Sequence, residues 1–330
     1  MLIVFISKKN MKAIKVIEEN LVISETPVPL PGDDEVLIKV KAAGINRADI
    51  AQRKGLYPPP PGASEILGLE CSGIIESVGK NVSARQPGDE VIALLGGGGY
   101  GEYVTCPQFH TLYKPANLNW VEAASIPEVY ATCWLNLFME ASMKEGDKVV
   151  FHAGASGIGT AGIQLAKAFG CESFVSAGSK NKIDMCINLG ASDGEVRSRD
   201  IFSKIKSWAP EGVDVILDPV GAEYFESNLN VLGIEGRLVI IGLMSGAQTN
   251  LNLGHLMIKR QKIIGSTIRA RNVETKNIVM EELSQKVLPL FKSGELIPII
   301  HETYPLSESE KAHEIMEANN NIGKIILTLD

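Results

Sequence analysis

The residues whose types and spacing point most directly to chemistry lie in the run His152-Ala-Gly-Ala-Ser-Gly-Ile-Gly-Thr160. Gly154 and Gly159 hold the outer places of a G-x-G-x-x-G turn, Ser156 stands at the middle place, and Gly157 follows it. Such a turn lets a pyrophosphate approach the free amides in the first turn of a helix, where the helix dipole favours negative charge. The Ser156 hydroxyl can bond a phosphate oxygen as well. Taken alone, such a cluster is a weak signal, and a tight turn with no ligand is its alternative. The next strand narrows the choice, because about twenty residues beyond the turn an NAD enzyme carries Asp or Glu for the ribose hydroxyls. Here that place reads Ala177-Gly178-Ser179, with Lys180 and Lys182 after it. Small, hydroxylated and basic residues suit a 2′-phosphate and so point to NADPH; two solvated lysines at a helix start are the plainer alternative.

Positioning that turn requires a strand before it and a helix after it. Residues 148–152 are a short apolar run suited to a buried parallel strand, and a helix runs from the turn to Gly170. Further strands are expected at 172–178, 214–218, 236–242 and 262–267, with a weaker one near 194–197. Alternation with helices makes this an α/β, doubly wound parallel six-stranded sheet of the Rossmann type. Residues 11 to 125 read instead as a compact, mostly antiparallel β unit, with strands at 12–16, 35–43, 73–78 and 89–95 between Pro- and Gly-rich turns. The glycines 96–99 are not followed by Gly-Lys-Ser/Thr, so they read as a flexible hairpin and not as a phosphate loop. The segment 121–143 is helical in pattern. A helix at 279–292, a strand at 299–304, a helix at 308–319 and a strand at 324–329 are expected to return to the β unit. The division is therefore 1–125, 126–267 and 268–330.

With 330 residues, 45% hydrophobic and 22% charged, the chain has the size and composition of two globular domains. A net charge of −7 argues against nucleic acid as the main partner. No run is long enough to span a membrane. Leu2-Ile-Val-Phe-Ile6 is too short for a signal-peptide core and lacks a preceding basic region, so the protein is expected in the cytoplasm. Met11-Lys-Ala-Ile-Lys-Val reads as the first strand, with residues 1–10 an extension. The five cysteines, at 71, 106, 133, 171 and 186, contain no C-x-x-C and are expected as reduced, buried thiols.

Four motifs carry a resemblance over essentially the whole length: Asn46-Arg-Ala-Asp-Ile-Ala-Gln-Arg-Lys-Gly-Leu-Tyr57-Pro-Pro-Pro, Ile66-Leu-Gly-Leu-Glu-Cys-Ser-Gly73, His152 to Thr160, and Ala318-Asn-Asn-Asn-Ile-Gly-Lys324. The sequence resembles the zinc-independent quinone oxidoreductase (zeta-crystallin-like) branch of the medium-chain dehydrogenases/reductases. That resemblance implies a Rossmann sheet inserted in a GroES-like, mostly antiparallel β domain. Alcohol dehydrogenases of the superfamily hold catalytic zinc with a cysteine in the segment matching Gly44-Ile-Asn46 and a histidine in the segment matching Gly68-Leu-Glu70. Those places are Asn46 and Leu69 here, so no metal is expected. Without a Lewis acid, the hydride acceptor must delocalise charge by conjugation, as quinones and α,β-unsaturated carbonyls do.

By the same resemblance, Asn46 and Thr132 lie near the nicotinamide end of the cofactor, and Asn46, with Tyr57, is a candidate catalytic residue beside the bound quinone. Gly154, Ala155, Ser156, Gly157, Ile158 and Gly159 form the pyrophosphate turn, and Gly178, Ser179 and Lys182 meet the adenosine phosphate. Gly242, Leu243, Met244, Ile268 and Arg269 line the nicotinamide. Relatives carry a tyrosine where Ala51 stands, and the tyrosine beside the adenosine phosphate is replaced by Arg197, which can make a charge-assisted bond to that phosphate. Tyr57 is the candidate for a catalytic or orienting hydroxyl near a bound quinone; packing on the Pro58 to Pro61 run is its alternative. His152 and Cys133 read as core residues. The leading expectation is NADPH-dependent quinone reduction. Alkenal or enone reduction, and a non-enzymatic NADPH-binding, crystallin-like or RNA-binding role, are the alternatives. A homodimer formed through the 262–267 strand is implied by the resemblance.

Overall fold

The computed structural model describes residues 9–329. The Leu2 to Ile6 run lies outside the described residues, and of the expected extension Asn10 already belongs to the first strand. By contacts the chain forms two compact units: one comprises 1–128, 269–293 and 297–330, the other 129–268 and 294–296.

In the first unit, β1 (Asn10–Ile17) and β2 (Asn20–Pro27) make an antiparallel pair. The main sheet uses β3 (Glu35–Gly44), β4 (Glu70–Val78), β5 (Glu90–Leu94), β6 (Tyr103–Pro107) and β7 (Thr111–Tyr113). The other unit contributes β8 (Lys148–His152), β9 (Glu172–Ala177), β10 (Asp193–Val196), β11 (Val213–Asp218), β12 (Leu232–Ile240) and β13 (Lys262–Gly265). β14 (Ile300–Pro305) and β15 (Lys324–Thr328) then rejoin the first sheet, whose order is β14-β15-β3-β4-β5-β7 with β6 paired to β3. All its pairings are antiparallel except β14 with β15. Its core takes alternate residues of the strands, Val36, Ile38 and Val40 from β3 among them, together with Ile325 and Leu327 of β15. A period-2 burial of this kind is what an antiparallel sheet with one buried face produces.

The second sheet has the order β10-β9-β8-β11-β12-β13, every pair parallel. This is the Rossmann order, and the strand order reverses between β8 and β11, where a crevice forms at the strands' carboxyl ends. Central strands are covered on both faces, so they bury consecutive residues: Val149, Val150 and Phe151 in β8, and Val215, Ile216 and Leu217 in β11.

The glycine run 96–99 is not a hairpin. β5 pairs with β4 and β7 while β6 pairs with β3, so the run carries the chain across the sheet. Glycine is required by close approach: a Cβ at Gly97, where φ is +158°, would meet Ser64 O at 2.4 Å, and one at Gly98 would meet Val104 Cγ2 at 2.6 Å. Further differences from the sequence expectation are the presence of β2, whose residues are mostly half-buried or exposed, of β6 and of β7, and the start of β12 four residues earlier.

Candidate functional site

In the Rossmann unit, β8 ends at His152, and Ala153 turns the chain with φ +56°. Gly154 N–H donates to Ser176 O of β9 at 2.9 Å, which ties the turn to the neighbouring strand. A Cβ on Gly154 would lie 2.7 Å from Val175 Cβ, and one on Gly159 would lie 2.3 Å from Gly154 O. Both outer glycines are thus demanded by packing of the turn on itself and on β9. The helix Gly157–Ala168 starts with Ser156 as its N-cap, the Ser156 Oγ accepting from Gly159 N–H at 3.1 Å. This leaves the Gly157 and Ile158 amides with no partner inside the helix, in the half-positive first turn that suits a phosphate. Ala155 is buried behind them, and Ile158 O accepts from the Cys133 thiol at 3.3 Å.

At the end of β9, Gly178 leads into Ser179, the N-cap of the helix Lys180–Leu189. Arg197 follows β10, its N–H donating to Ala177 O at 2.9 Å, and its Nη2 would lie 3.1 Å from a Cβ on Gly178. Burial, and then the charge of Arg197, hold the Lys182 ammonium below its ordinary range. Gly178, Ser179, Lys182 and Arg197 therefore converge on one spot, two cations close enough to disfavour each other. Lys180 is turned elsewhere, paired with Asp184 at 2.9 Å.

Gly242 follows β12, and a Cβ there would meet Pro219 O at 2.8 Å; Leu243 and Met244 beyond it are half exposed. Thr132 and Ile268 are buried in the same unit.

Beneath these loops lies a network with no counterpart in the sequence expectation. Asp218, at the end of β11, accepts from the amides of Val220 at 2.6 Å and Gly221, and from Asn228 Nδ2 at 3.1 Å. Asn228 Oδ1 must then accept from His152 Nε2–H at 2.7 Å, so His152 Nδ1 accepts from Ser176 Oγ at 3.0 Å. Burial holds the imidazole down at about 4 and raises the Asp218 carboxyl to about 6. His152 and Cys133 are both core residues, as their sequence context suggests.

In the β unit, Asn46 is the N-cap of the helix Arg47–Arg53. Its N–H donates to Asp49 Oδ2 at 2.8 Å, its Nδ2 donates to Glu70 Oε1 at 3.0 Å, and its Oδ1 accepts from Lys324 Nζ at 2.6 Å. Lys324 Nζ also lies 2.6 Å from Glu70 Oε1 and 2.8 Å from Ile45 O, while Glu70 Oε2 accepts from Glu128 N–H at 2.9 Å. Glu70 is fully buried and Lys324 is 4% exposed. Gly44 makes room for the carboxylate, since a Cβ there would lie 2.2 Å from Glu70 Oε1. Leu69 is core. The amide of Asn46 is thus fixed in one orientation by an ion pair, and among the described residues no group of three His, Cys, Asp or Glu side chains is placed to hold a metal. Asp49, also fully buried, accepts from Gly68 N–H at 2.9 Å and from the Tyr100 hydroxyl at 3.3 Å. Burial raises its carboxyl to about 6.

Tyr57 is half buried. The Arg269 guanidinium stands over its ring, 5.4 Å from the centroid. Arg269 is 4% exposed and donates to Gly96 O at 2.9 Å, Gln52 Oε1 at 2.7 Å and Tyr57 O at 3.4 Å. Asp49, Glu70 and Lys324 lie inside the motifs that carry the family resemblance, but nothing in the sequence gives them a role, and no signal marks Asp218 or Asn228; buried charges and amides look like surface ones until their partners are known.

Residues 32–116 match the alcohol dehydrogenase GroES-like domain, and residues 157–285 match the zinc-binding dehydrogenase domain. The human protein named quinone oxidoreductase is 33% identical over 98% of this chain and 99% of its own length. A zebrafish synaptic vesicle membrane protein VAT-1 homolog is 30% identical over 90% of the chain, which spans 64% of that relative's length. Among solved structures, the CurK enoyl reductase superposes with a TM-score of 0.84 at 29% identity, over 98% of this chain and 100% of that one. No helix among the described residues is long and apolar enough to cross a membrane. A Rossmann sheet with a phosphate-ready turn, set in a GroES-like β domain and matched end to end by a quinone oxidoreductase, places the chain in the quinone oxidoreductase family of the medium-chain dehydrogenases/reductases, nicotinamide-dependent oxidoreductases.

Proposed function

We propose that this protein reduces quinones with NADPH, without zinc, in the cytoplasm and as a homodimer. The observation that carries the reading is the Asn46–Glu70–Lys324 network. At the place where metal-dependent relatives carry ligands, this chain has an amide, a hydrocarbon at Leu69, and an ammonium that already neutralises the one carboxylate. A zinc ion would meet a positive charge and lack thiolate or imidazole donors, so these residues do not fit it. An acceptor that carries its own charge by conjugation is then required, and quinones do so.

The Gly154 to Gly159 turn fits a pyrophosphate: its first-turn amides have no helical partner, and its glycines leave no Cβ over them. Lys182 and Arg197 fit the 2′-phosphate, because two cations held together at Gly178 gain most from a doubly charged anion. Ser179 supports them, and Thr132, Gly242, Leu243, Met244 and Ile268 serve the nicotinamide end. The bound cofactor supplies the hydride. The protein's part is to hold Asn46 in one orientation and to offer a donor to the substrate oxygen as charge develops there. Tyr57 is that donor. Its hydroxyl has no hydrogen-bond partner among the described residues, and burial raises its pKa above the ordinary value.

Dimerisation is supported by the open edge of β13 and by the helix Leu253–Lys259, whose Leu253, Met257 and Ile258 are about 70% exposed. Five free, buried thiols suit a reducing compartment.

The likeness to an enoyl reductase favours a second reading, reduction of α,β-unsaturated carbonyls by the same cofactor. NADPH oxidation against ortho-quinones, para-quinones and enals separates the two. Quinone turnover with NADPH above NADH is expected; turnover of enals alone overturns the quinone reading. Stoichiometric zinc with activity lost on chelation overturns the metal-free mechanism, and a monomeric mass by light scattering at micromolar concentration overturns the dimer.

A further inference from the structure

Arg269 has surroundings unusual for a buried cation. It is 4% exposed, yet its hydrogen bonds go to no carboxylate; it spends its donors on two stretches far apart in sequence, Gln52 of the helix Arg47–Arg53 with Tyr57 of the loop that follows it, and Gly96 of the buried glycine crossing. Its own backbone is fixed too, since Lys276 Nζ donates to Arg269 O at 2.7 Å. The loop it holds is tied at its start, by the Lys54–Glu317 ion pair and the amides of Lys54, Gly55 and Leu56, and has few other ties beyond Leu56. Lys54, Gly55 and Leu56 are exposed, Gly55 and Gly62 have positive φ, and Pro58 to Pro61 offer no N–H donors. Gln52 is tied in turn by its Nε2, which donates to Glu65 O at 2.8 Å at the far end of the same loop.

We infer that Arg269 is a positioning residue for Tyr57, clamping the 54–62 loop so that the ring is held from behind and the hydroxyl stays turned to the substrate. The role calls for arginine. A planar fork can serve acceptors in three directions while lying over an aromatic ring, and a lysine ammonium cannot do both. The inference rests on the proposed role of Tyr57 in quinone or enone reduction. It also replaces the cofactor contact that the family resemblance implies for this side chain.

The test is a double-mutant cycle read alongside a spectroscopic signature. Arg269→Lys and Tyr57→Phe are measured singly and together for kcat and KM with NADPH and an enal acceptor. Each single variant is expected to lose about tenfold in kcat with KM for NADPH unchanged, and the double variant is expected to be no slower than Tyr57→Phe. Multiplied losses in the double variant, or a single Arg269→Lys variant with full kcat, overturn the inference. Independently of turnover, the ring carbon Cζ of Tyr57 is followed by NMR in tyrosine-labelled protein, assigned by its disappearance in Tyr57→Phe. Its titration is expected to move to higher pH in Arg269→Met, because the cation over the ring favours the phenolate. Gln52→Met, which removes one acceptor and leaves the arginine, is expected to move the resonance toward the random-coil position, and it replaces the Arg269 variants should they not fold. An unmoved Tyr57 resonance overturns the inference. A native protein that reduces no acceptor sinks the functional reading instead, while the NMR measurement still decides the role of Arg269.

Discussion

Lys324→Met is the perturbation that most directly interrogates the buried ion pair. Methionine nearly matches lysine in volume and shape, so the change removes a charge without opening a cavity. The ammonium it removes donates to Ile45 O, Asn46 Oδ1 and Glu70 Oε1 at 2.8, 2.6 and 2.6 Å. Glu70 is left with hydrogen bonds from Asn46 Nδ2 and Glu128 N–H but with no cation in contact, at zero exposure. Removing one partner of a buried pair in this way costs about 3–5 kcal/mol, most of it the stranded charge. At about 1.4 kcal/mol per decade, hydrogen-exchange protection should fall by about one hundred to a few thousandfold. Exchange mass spectrometry on peptides from β3 and β15, the strands that carry Gly44 and Lys324, reads this locally. Glu70→Gln combined with Lys324→Met should restore most of the protection, because a neutral amide needs no counter-ion. Protection unchanged within a factor of five in the single variant, or a double variant no better than the single, would refute the view that the pair holds this corner of the sheet.

Three further outcomes are expected. Lys182→Ala and Arg197→Ala should each weaken NADPH binding by about tenfold, from a charged hydrogen bond worth ~1.5 kcal/mol, and leave NADH binding unchanged; equal losses for both cofactors in fluorescence titrations would remove these residues from the 2′-phosphate. Ser156→Val should weaken both cofactors alike and also lower helix stability, because the Oγ that caps Gly159 is lost at a cost of ~1 kcal/mol; unchanged affinity would make Ser156 a turn residue only. His152→Gln should alter the pH dependence of unfolding in urea. The folded imidazole titrates at about 4 against an ordinary 6.5, so His152 costs the native protein stability as pH falls through that window. Asp218, raised from 3.8 to about 6, has the opposite sign and adds stability over the same fall, so the two offset each other. Removing the histidine leaves the Asp218 slope, and the variant should gain about 3 kcal/mol on the wild type between pH 6.5 and 4; parallel curves would contradict the assignment.

The Rossmann sheet is legible in the sequence because parallel strands buried on both faces carry short apolar runs at their centres, and β8, β9 and β11 fall within a residue or two of where the strands are expected. Strands whose residues are only partly buried offer no such signal. β2 carries Glu25 and Ser24 among its apolar residues and so has no strand pattern to read, and the glycines 96–99 suggest a hairpin because composition cannot show which strand a crossing joins. The phosphate turn is legible for a different reason: its glycines are demanded by local packing, Gly159 against Gly154 and Gly154 against Val175, so the constraint is written within one stretch of chain. By contrast, Glu70 and Lys324 are 254 positions apart and each looks like a surface charge. Their pairing is created by the return of β15 to β3, a long-range event that no window of sequence contains.

That same return explains how the β domain can keep Glu70 buried. A carboxylate at zero exposure needs positive charge or several donors, and Glu70 takes one cation, one side-chain amide and one backbone N–H. The cation comes from the last strand of the chain, placed when β15 pairs with β3 through Ile326, Leu327 and Thr328. Its other two bonds, to Ile45 O and Asn46 Oδ1, fall on the residues that lead into the helix Arg47–Arg53 and on toward Tyr57. Completion of the sheet and orientation of Asn46 are therefore one event. On the proposed mechanism, the site acquires its fixed geometry only when the chain's final strand is in place.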